Sequence, residues 1–370
     1  MFERLMTDKI EKKIFVDENI HLIADSLNVC GEVTAFNGRK LSNNELCKRG
    51  CTSLFVRSTT KVNEKLLRGS DVSFVGSSTS GFDHIEVDYL NNEKIHFAYA
   101  PGSNANSVAE YVVYSILKWS LLTESQLTGK TIGIVGYGNI GKLVEKYSVL
   151  LGLNVFVNDP PLRVQGYEFP GNVKYAELEE LCSKSDMITS HVPLTFEGEY
   201  PTYKLFNDSI TSMLKNNSLF IHTSRGGVAD ESFLLNIIKS RNVKAVVDVW
   251  ENEPLINTGL AKRAMLSTPH IAGYSRDGKI RGALMMAKEY EKYSDTKPDY
   301  TVFEEELSMY KPLPKEKYIY HNELFELLKN SRKLDDDDSA LRATLELEVT
   351  EKAEAFDSLR KNYPLRREIL

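Results

Sequence analysis

The sequence predicts an α/β protein with two doubly wound units, each a parallel sheet covered by helices on both faces. Short apolar runs alternate with helical patterns from Lys13 to about Ala287, as in chains that build parallel sheets. A glycine-rich turn at 136–141 stands in the middle of the chain, so an earlier α/β unit is expected before it. From about residue 296 strand patterns end and charge increases, which predicts a separate C-terminal segment.

Composition excludes several classes of function. The 370 residues are enough for two or three domains, and 42% hydrophobic with 26% charged residues is ordinary for a globular protein. A net charge of −6 predicts neither a nucleic-acid nor a membrane partner. The four cysteines form no C-x-x-C pair and have no histidines at ligand spacing, so no metal site is expected. The charged start Met1–Ile10 does not resemble a signal peptide, and we expect a cytoplasmic location.

The first unit contains a polar loop that suits an anion. Apolar strands are expected at 14–16, 54–56 and 72–75. The loop from Arg57 to Lys61 follows the second of these strands and carries two cations and three hydroxyls. It is a plausible cradle for a phosphate group, and the same residues are also compatible with a simple polar turn.

The glycine turn predicts dinucleotide binding. An apolar strand at 131–135 runs into Gly136, Gly138 and Gly141, and a helix with one buried face follows. The first glycine permits a tight turn, the second lets backbone approach a pyrophosphate, and the third lets the helix pack closely. Asp159 ends the next strand, where a carboxylate accepts from ribose hydroxyls and favours NAD over NADP. The expected cofactor contacts of the turn are Gly136, Gly138, Asn139, Ile140 and Gly141.

Three later strand ends each deliver a polar residue. Arg225, Glu253 and His270 are candidates to converge, because ligands bind beyond the carboxyl ends of parallel strands. Oxidation of an alcohol needs a base that titrates near neutral pH, a carboxylate to stabilise the resulting imidazolium, and an arginine to clamp a substrate carboxylate. Asp248, at another strand end, is a candidate to hold the nicotinamide carboxamide.

Each member of the trio also has a plain structural interpretation. Arg225 is compatible with a surface ion pair, Glu253 with a loop charge, and His270 with a hydrogen-bonded core histidine.

Four segments together resemble one enzyme family, the D-isomer-specific 2-hydroxyacid dehydrogenases. They are 136–141, 224–227, Asp248 with 253–254, and 269–270. The resemblance implies Arg225, Glu253 and His270 as catalytic residues, with His270 exchanging the proton. It implies NAD contacts at Asp159, Val192, Asp248 and Gly273, and substrate contacts at Ser58, Thr79 and Tyr274. With the phosphate cradle, the expected substrate-binding residues are Arg57, Ser58, Lys61, Thr79 and Tyr274.

Further segments narrow the resemblance to members of the family that act on 4-phospho-D-erythronate. They are 16–19, 56–64, 74–79, 159–161, 191–195 with 197–198, 270–275 and 359–363. The resemblance implies NAD-dependent oxidation to 2-oxo-3-hydroxy-4-phosphobutanoate in pyridoxal 5'-phosphate (vitamin B6) biosynthesis. It also implies a homodimer joined through a small α+β C-terminal domain.

The expected domains are a substrate-binding domain at 13–105 with 272–295, a Rossmann-like NAD-binding domain at 106–271, and a dimerisation domain at 296–370. Two alternatives stay open for the function. One is another dehydrogenase of the family, acting on 3-phosphoglycerate or glycerate. The other is an NADH-sensing binding protein similar to the corepressors that share this fold.

Overall fold

Two parallel sheets, one in each of two units, form the framework of the chain. The computed structural model describes residues 12–370, so the expectation about Met1–Ile10 lies outside the described residues. The first unit contains the described residues up to Asn104 together with Arg276–Tyr310, and the second contains Ala105–Ser275 with Lys311–Leu370.

Five parallel strands form the sheet of the first unit. They are β1 (Lys13–Asp17), β2 (Glu32–Phe36), β3 (Ser53–Val56), β4 (Phe74–Ser77) and β5 (His96–Tyr99). Their order across the sheet is β2-β1-β3-β4-β5, with every neighbouring pair parallel. Because β1, β3 and β4 are neighbours, the residues that follow them share one edge of the sheet.

Seven parallel strands form the sheet of the second unit. They are β6 (Thr131–Val135), β7 (Asn154–Asn158), β8 (Val173–Tyr175), β9 (Met187–Ser190), β10 (Leu219–His222), β11 (Lys244–Val247) and β12 (Leu266–Ser267). Their order is β12-β11-β10-β9-β6-β7-β8. The chain runs outward from β6 to β8 and then returns to β9 on the other side. The boundary between β6 and β9 is therefore the switch point at which such sheets bind ligands.

Helices cover both sheets, as the alternating pattern predicts. They are α1 (Ile23–Leu27), α2 (Asn43–Arg49), α3 (Glu64–Leu67), α4 (Val87–Asn92), α5 (Ala105–Leu122), α6 (Asn139–Leu150), α7 (Pro160–Val164), α8 (Leu178–Lys184), α9 (Glu231–Arg241), α10 (Thr258–Arg263), α11 (Arg276–Ser294), α12 (Thr301–Ser308), α13 (His321–Arg332), α14 (Leu334–Ala343) and α15 (Val349–Lys361). Short 3-10 helices occupy Asp208–Met213 and Lys315–Ile319. In the part of the chain from residue 12 onward, no helix is both long and apolar enough to cross a bilayer.

The C-terminal region differs from the expectation in two respects. Residues 296–310, which were expected to begin a third domain, belong to the first unit, because Phe303 of α12 is buried in the same core as Ile280 and Met286 of α11. Residues 311–370, all described, contain helices and no strand, whereas the resemblance implied a mixed α+β domain. The apolar faces of these helices complete the core of the second unit, where Leu328 is fully buried.

Candidate active site

The glycine turn has the geometry that a dinucleotide site requires. Gly136 follows β6 with φ of +92°, a left-handed conformation that favours glycine. A Cβ at Gly141 would lie 2.2 Å from the carbonyl oxygen of Gly136, so only glycine lets the start of α6 approach the turn. A Cβ at Gly138 would meet nothing within 4 Å, so open space lies over the middle of the turn. These residues fit a bound pyrophosphate at the N-terminus of α6.

Asp159 lies beside this turn. Its Oδ2 accepts from the backbone N–H of Tyr137 at 2.8 Å, and its Oδ1 accepts from that of Leu162 at 3.0 Å. The carboxylate is therefore fixed next to the glycine turn, only half-buried, with lone pairs left for further donors. Val192, after β9, lies against the same turn, with its Cγ1 2.9 Å from the position of a Cβ on Gly136.

His270 and Glu253 form a hydrogen-bonded acid–base pair. The imidazole Nδ1 of His270 lies 2.8 Å from Oε2 and 3.0 Å from Oε1 of Glu253. Burial acts to raise the pKa of Glu253, but the hydrogen bond and charge of His270 with the charge of Arg360 outweigh it, and the pKa lies below its ordinary value. A carboxylate on Nδ1 fixes the tautomer and leaves Nε2 to exchange protons.

Asp248 holds the segment that carries His270. This fully buried carboxylate accepts from Thr268 Oγ1 at 2.6 Å and from the backbone N–H groups of Ile271 at 2.8 Å and Ala272 at 3.0 Å. Burial raises the pKa of Asp248 above its ordinary value, although the charge of His270 and these hydrogen bonds act to lower it. The turn at 268–272 is thus tied to the end of β11, which fixes the backbone of His270 in its left-handed conformation, φ +57°.

Arg225 lies on a loop that packs against the loop of Glu253. A Cβ at Gly226 would lie 1.9 Å from the carbonyl oxygen of Trp250, so the two loops touch through a glycine. Arg225 is half-buried, and its Nη1 donates to the carbonyl of Ser224 at 2.8 Å. The side chain of Glu253 also fixes the backbone of its own loop, because the backbone N–H of Trp250 donates to Glu253 Oε1 at 3.1 Å.

His222 is buried at the end of β10. Burial lowers its pKa to about 4, and it feels the charges of Glu253 and His270. Its Nδ1 lies 3.4 Å from the hydroxyl of Ser224. A neutral imidazole is therefore buried at the end of β10, where the charges of the acid–base pair act on it.

The C-terminal segment adds an arginine that sequence reasoning missed. Nη1 of Arg360, in the last turn of α15, lies 3.6 Å from Oε2 of Glu253, and the guanidinium also hydrogen-bonds Tyr274. Tyr274 follows the half-buried Gly273, and its ring stacks edge-on against Tyr363 with centroids 5.7 Å apart. The segment 359–363 was noted only for the family resemblance, and no local pattern indicates this contact, because Arg360 is over 100 residues from Glu253 in the sequence.

The predicted phosphate cradle lies in the first unit. Arg57 Nε donates to Oδ1 of Asp17 at 3.1 Å, and the Asp17 side chain is completely buried at the end of β1. Burial and the positive charge of Arg57 lower the pKa of Lys279, in α11, to about 8, while the negative charge of Asp17 acts to raise it. The buried carboxylate of Asp17 is therefore paired with Arg57 and acts to raise the pKa of Lys279 through its charge; the lysine was not found from the sequence.

The other expected substrate residues of the first unit lie at the same sheet edge. Ser58 and Lys61 are exposed on the loop after β3. Thr79 follows β4. Its hydroxyl donates to the carbonyl of Gly81 at 2.7 Å and lies 2.6 Å from the hydroxyl of Ser77. The first unit thus contains these three residues with Arg57, while the trio and Tyr274 lie in the second unit.

Comparison with known proteins gives two family models and several curated relatives. Residues 109–272 match the family model of the D-isomer specific 2-hydroxyacid dehydrogenase NAD binding domain, and residues 310–370 match a domain of unknown function. The chain is 40% identical over 368 residues to an erythronate-4-phosphate dehydrogenase of Proteus mirabilis, covering 96% of this chain and 92% of the relative. It is 38% identical over 363 residues to that of Hahella chejuensis, with the same coverage.

Solved structures share the fold. An NAD⁺-bound 3-phosphoglycerate dehydrogenase of Entamoeba histolytica superposes with a TM-score of 0.63 at 24% identity, over 77% of this chain and 96% of the other.

Proposed function

Because the chain belongs to the erythronate-4-phosphate dehydrogenases, within the D-isomer specific 2-hydroxyacid dehydrogenase family, we propose that it oxidises 4-phospho-D-erythronate with NAD. The product is 2-oxo-3-hydroxy-4-phosphobutanoate, an intermediate of pyridoxal 5'-phosphate biosynthesis. The observation that carries the proposal is the His270–Glu253 pair, which lies in the same unit as the glycine turn.

His270 is the proposed base. Its Nε2 takes the proton of the hydroxyl on carbon 2 as the carbon–hydrogen bond breaks, and the carbonyl forms at that carbon. Glu253 stabilises the imidazolium through the 2.8 Å contact to Nδ1. In the reverse direction the imidazolium returns the proton to the carbonyl oxygen.

Arg225 is the proposed clamp for the substrate carboxylate. A guanidinium offers paired donors to a carboxylate, and it polarises the neighbouring carbonyl as negative charge develops on oxygen. The close packing of Gly226 on Trp250 supports this role, because it fixes the arginine loop against the loop of the catalytic acid.

The glycine turn is the proposed site of NAD, which supplies the hydride acceptor when bound. The backbone N–H groups at the start of α6 bind the pyrophosphate, and Asp159 accepts from the adenosine ribose. Asp248 already accepts three hydrogen bonds, and a carboxylate retains a lone pair for the nicotinamide carboxamide. The proposed contacts are Gly136, Gly138, Asn139, Ile140, Gly141, Asp159, Val192, Asp248 and Gly273.

The cluster of the first unit is the proposed phosphate site. Arg57 and Lys279 supply charge, and buried Asp17 fixes Arg57 while keeping the cluster from excess positive charge. The proposed substrate contacts are Arg57, Ser58, Lys61, Thr79 and Tyr274.

We also propose a homodimer joined through 311–370 in the cytoplasm. The four cysteines, all unpaired, support a reducing compartment. Light scattering of the full chain measures the mass directly, and a monomer at micromolar concentration would contradict the dimer.

The test of the proposed function is NADH formation with three parallel substrates: 4-phospho-D-erythronate, 3-phosphoglycerate and glycerate. A parallel reaction adds a 2-oxo acid, which reoxidises NADH retained by the enzyme, and turnover there is measured as consumption of the hydroxy acid substrate. We expect selective turnover of the first substrate and none by His270→Ala, which should still bind NADH. Preference for either other substrate would replace the substrate assignment, and binding of NADH without turnover would favour a sensor.

A further inference from the structure

Residues 311–370 contribute a charged side chain directly to the acid–base pair. Arg360 and Glu253 approach to 3.6 Å with only 25% and 19% of their side chains exposed. A partly buried ion pair of this kind is screened less by solvent than a surface pair. The contact joins the segment 310–370, which matches the model of a domain of unknown function, to a residue proposed for catalysis.

Several features fix Arg360 in place. The preceding turn of α15 is anchored by Phe356, which is 1% exposed, and the guanidinium lies 6.0 Å from the centre of that ring. On the other side it hydrogen-bonds Tyr274, whose ring packs on Tyr363. The arginine therefore has one defined position, between the catalytic acid and a proposed substrate contact.

Stability alone does not explain an arginine here. Among the described residues, no acceptor faces its Nε, which is buried. A buried N–H without an acceptor costs free energy, so a plain structural role would favour an apolar or shorter side chain. What the position does supply is positive charge beside the carboxylate that orients His270.

We propose that Arg360 is a positioning residue of the active site, and that 311–370 serves catalysis by supplying it. Its guanidinium holds Glu253 ionised and aimed at Nδ1 of His270, and it holds the hydroxyl of Tyr274. The consequence for the proton step rests on the proposed function. The other titratable groups that face this cluster are Asp248 and His222.

The charge of Arg360 affects His270 with a sign that a purely structural role of the side chain would not produce. A nearby guanidinium opposes formation of the imidazolium, so its removal should let His270 keep its proton to higher pH. We expect Arg360→Gln to move the midpoint of the rising limb of kcat/KM upward by about one pH unit, as for a charge screened at several ångströms. We also expect kcat to fall roughly tenfold or more as the acid loses its orientation.

Two further variants separate charge from packing. Arg360→Lys keeps the charge and should retain the wild-type midpoint, even if kcat falls. Lys361→Gln removes one charge from the neighbouring, exposed position and should change neither the midpoint nor kcat. NADH binding and thermal unfolding of each full-length variant check that the fold is kept.

The outcomes decide the proposal. An unshifted midpoint in Arg360→Gln, or equal shifts in Arg360→Gln and Lys361→Gln, would overturn it. If the wild-type chain fails to turn over 4-phospho-D-erythronate, the proposed function fails. The effect of Arg360 on His270 is then measured by NMR. The imidazole signals of His270, assigned with His270→Asn, should then titrate at higher pH in Arg360→Gln, and an unchanged titration would overturn the positioning role.

Discussion

Replacing Glu253 with glutamine removes the charge that stabilises the imidazolium and keeps nearly the same shape. At an effective dielectric constant of about 20, opposite unit charges ~3 Å apart attract by about 5 to 6 kcal/mol. Much of this attraction offsets the desolvation of a carboxylate that is only 19% exposed. A net loss of about 1.5 to 3 kcal/mol remains, the usual value of a hydrogen bond to a charged group.

This loss has two measurable consequences. Turnover should fall by about 10- to 150-fold, because the imidazolium forms as the hydroxyl proton is transferred. The rising limb of kcat/KM should shift to lower pH by about one to two units, the direction opposite to that expected for Arg360→Gln. Steady-state NADH formation as a function of pH measures both. A Glu253→Gln enzyme with wild-type turnover and an unshifted limb would refute the acid–base assignment, whereas loss of folding is checked by NADH binding.

Three further predictions concern the cofactor turn, the core and acid stability. In Gly141→Ala the new Cβ would lie 2.2 Å from a backbone oxygen of the turn, so NADH affinity should fall about 100-fold and thermal stability should drop. In Gly138→Ala the new Cβ would meet no protein atom within 4 Å. This variant should therefore bind NADH more weakly with little change in thermal stability. Equal melting temperatures for the two variants, by calorimetry, would argue against this close approach. Arg332→Met removes the charged partner of the buried Glu110 carboxylate, both side chains being 0% exposed, and should lower the free energy of unfolding by about 3 to 5 kcal/mol in urea titrations. A loss below about 1 kcal/mol, the size of a surface change, would contradict it. His222 has a pKa lowered to about 4 from an ordinary 6.5, so below pH 6.5 the unfolded chain takes up a proton there that the native chain does not. The contribution of this one residue to stability should therefore fall by about 1.4 kcal/mol per pH unit until pH 4, in addition to those of His84 and His191. His222→Asn should flatten that slope, and an unchanged slope would assign acid unfolding to other groups.

The parts of the site that were predictable from the sequence depend on short-range geometry. Gly136, Gly138 and Gly141 stand in one turn, and Asp159 follows the next strand, so spacing alone places them together. The three strand ends that carry the trio were predictable for a related reason, since successive parallel strands direct their carboxyl ends to one edge. The contact between His270 and Glu253 follows from that rule.

The parts that were missed depend on contacts between distant segments. Lys279 joins Arg57 only because α11 packs back onto the first sheet after more than 200 residues. Arg360, which contacts Glu253, lies on α15, and the sequence pattern of this helix indicates only a charged, amphipathic helix. Local periodicity contains no information about which partner such a helix packs against.

The C-terminal boundary was misplaced for a similar reason. A change in composition near residue 296 indicated the end of the alternating strands and helices, but composition does not show where an apolar face is buried. Phe303 completes the core of the first unit, so the change of unit comes after it, at Tyr310 and Lys311.

The most direct test of the account is the fate of the hydrogen on carbon 2 of the substrate. With 4-phospho-D-erythronate deuterated at that carbon, the account predicts that the deuterium is recovered in the reduced cofactor, while the hydroxyl proton is released through His270. His270→Ala should transfer none. Release of the deuterium into water, or reduced cofactor without label, would contradict hydride transfer from carbon 2 and with it the proposed function.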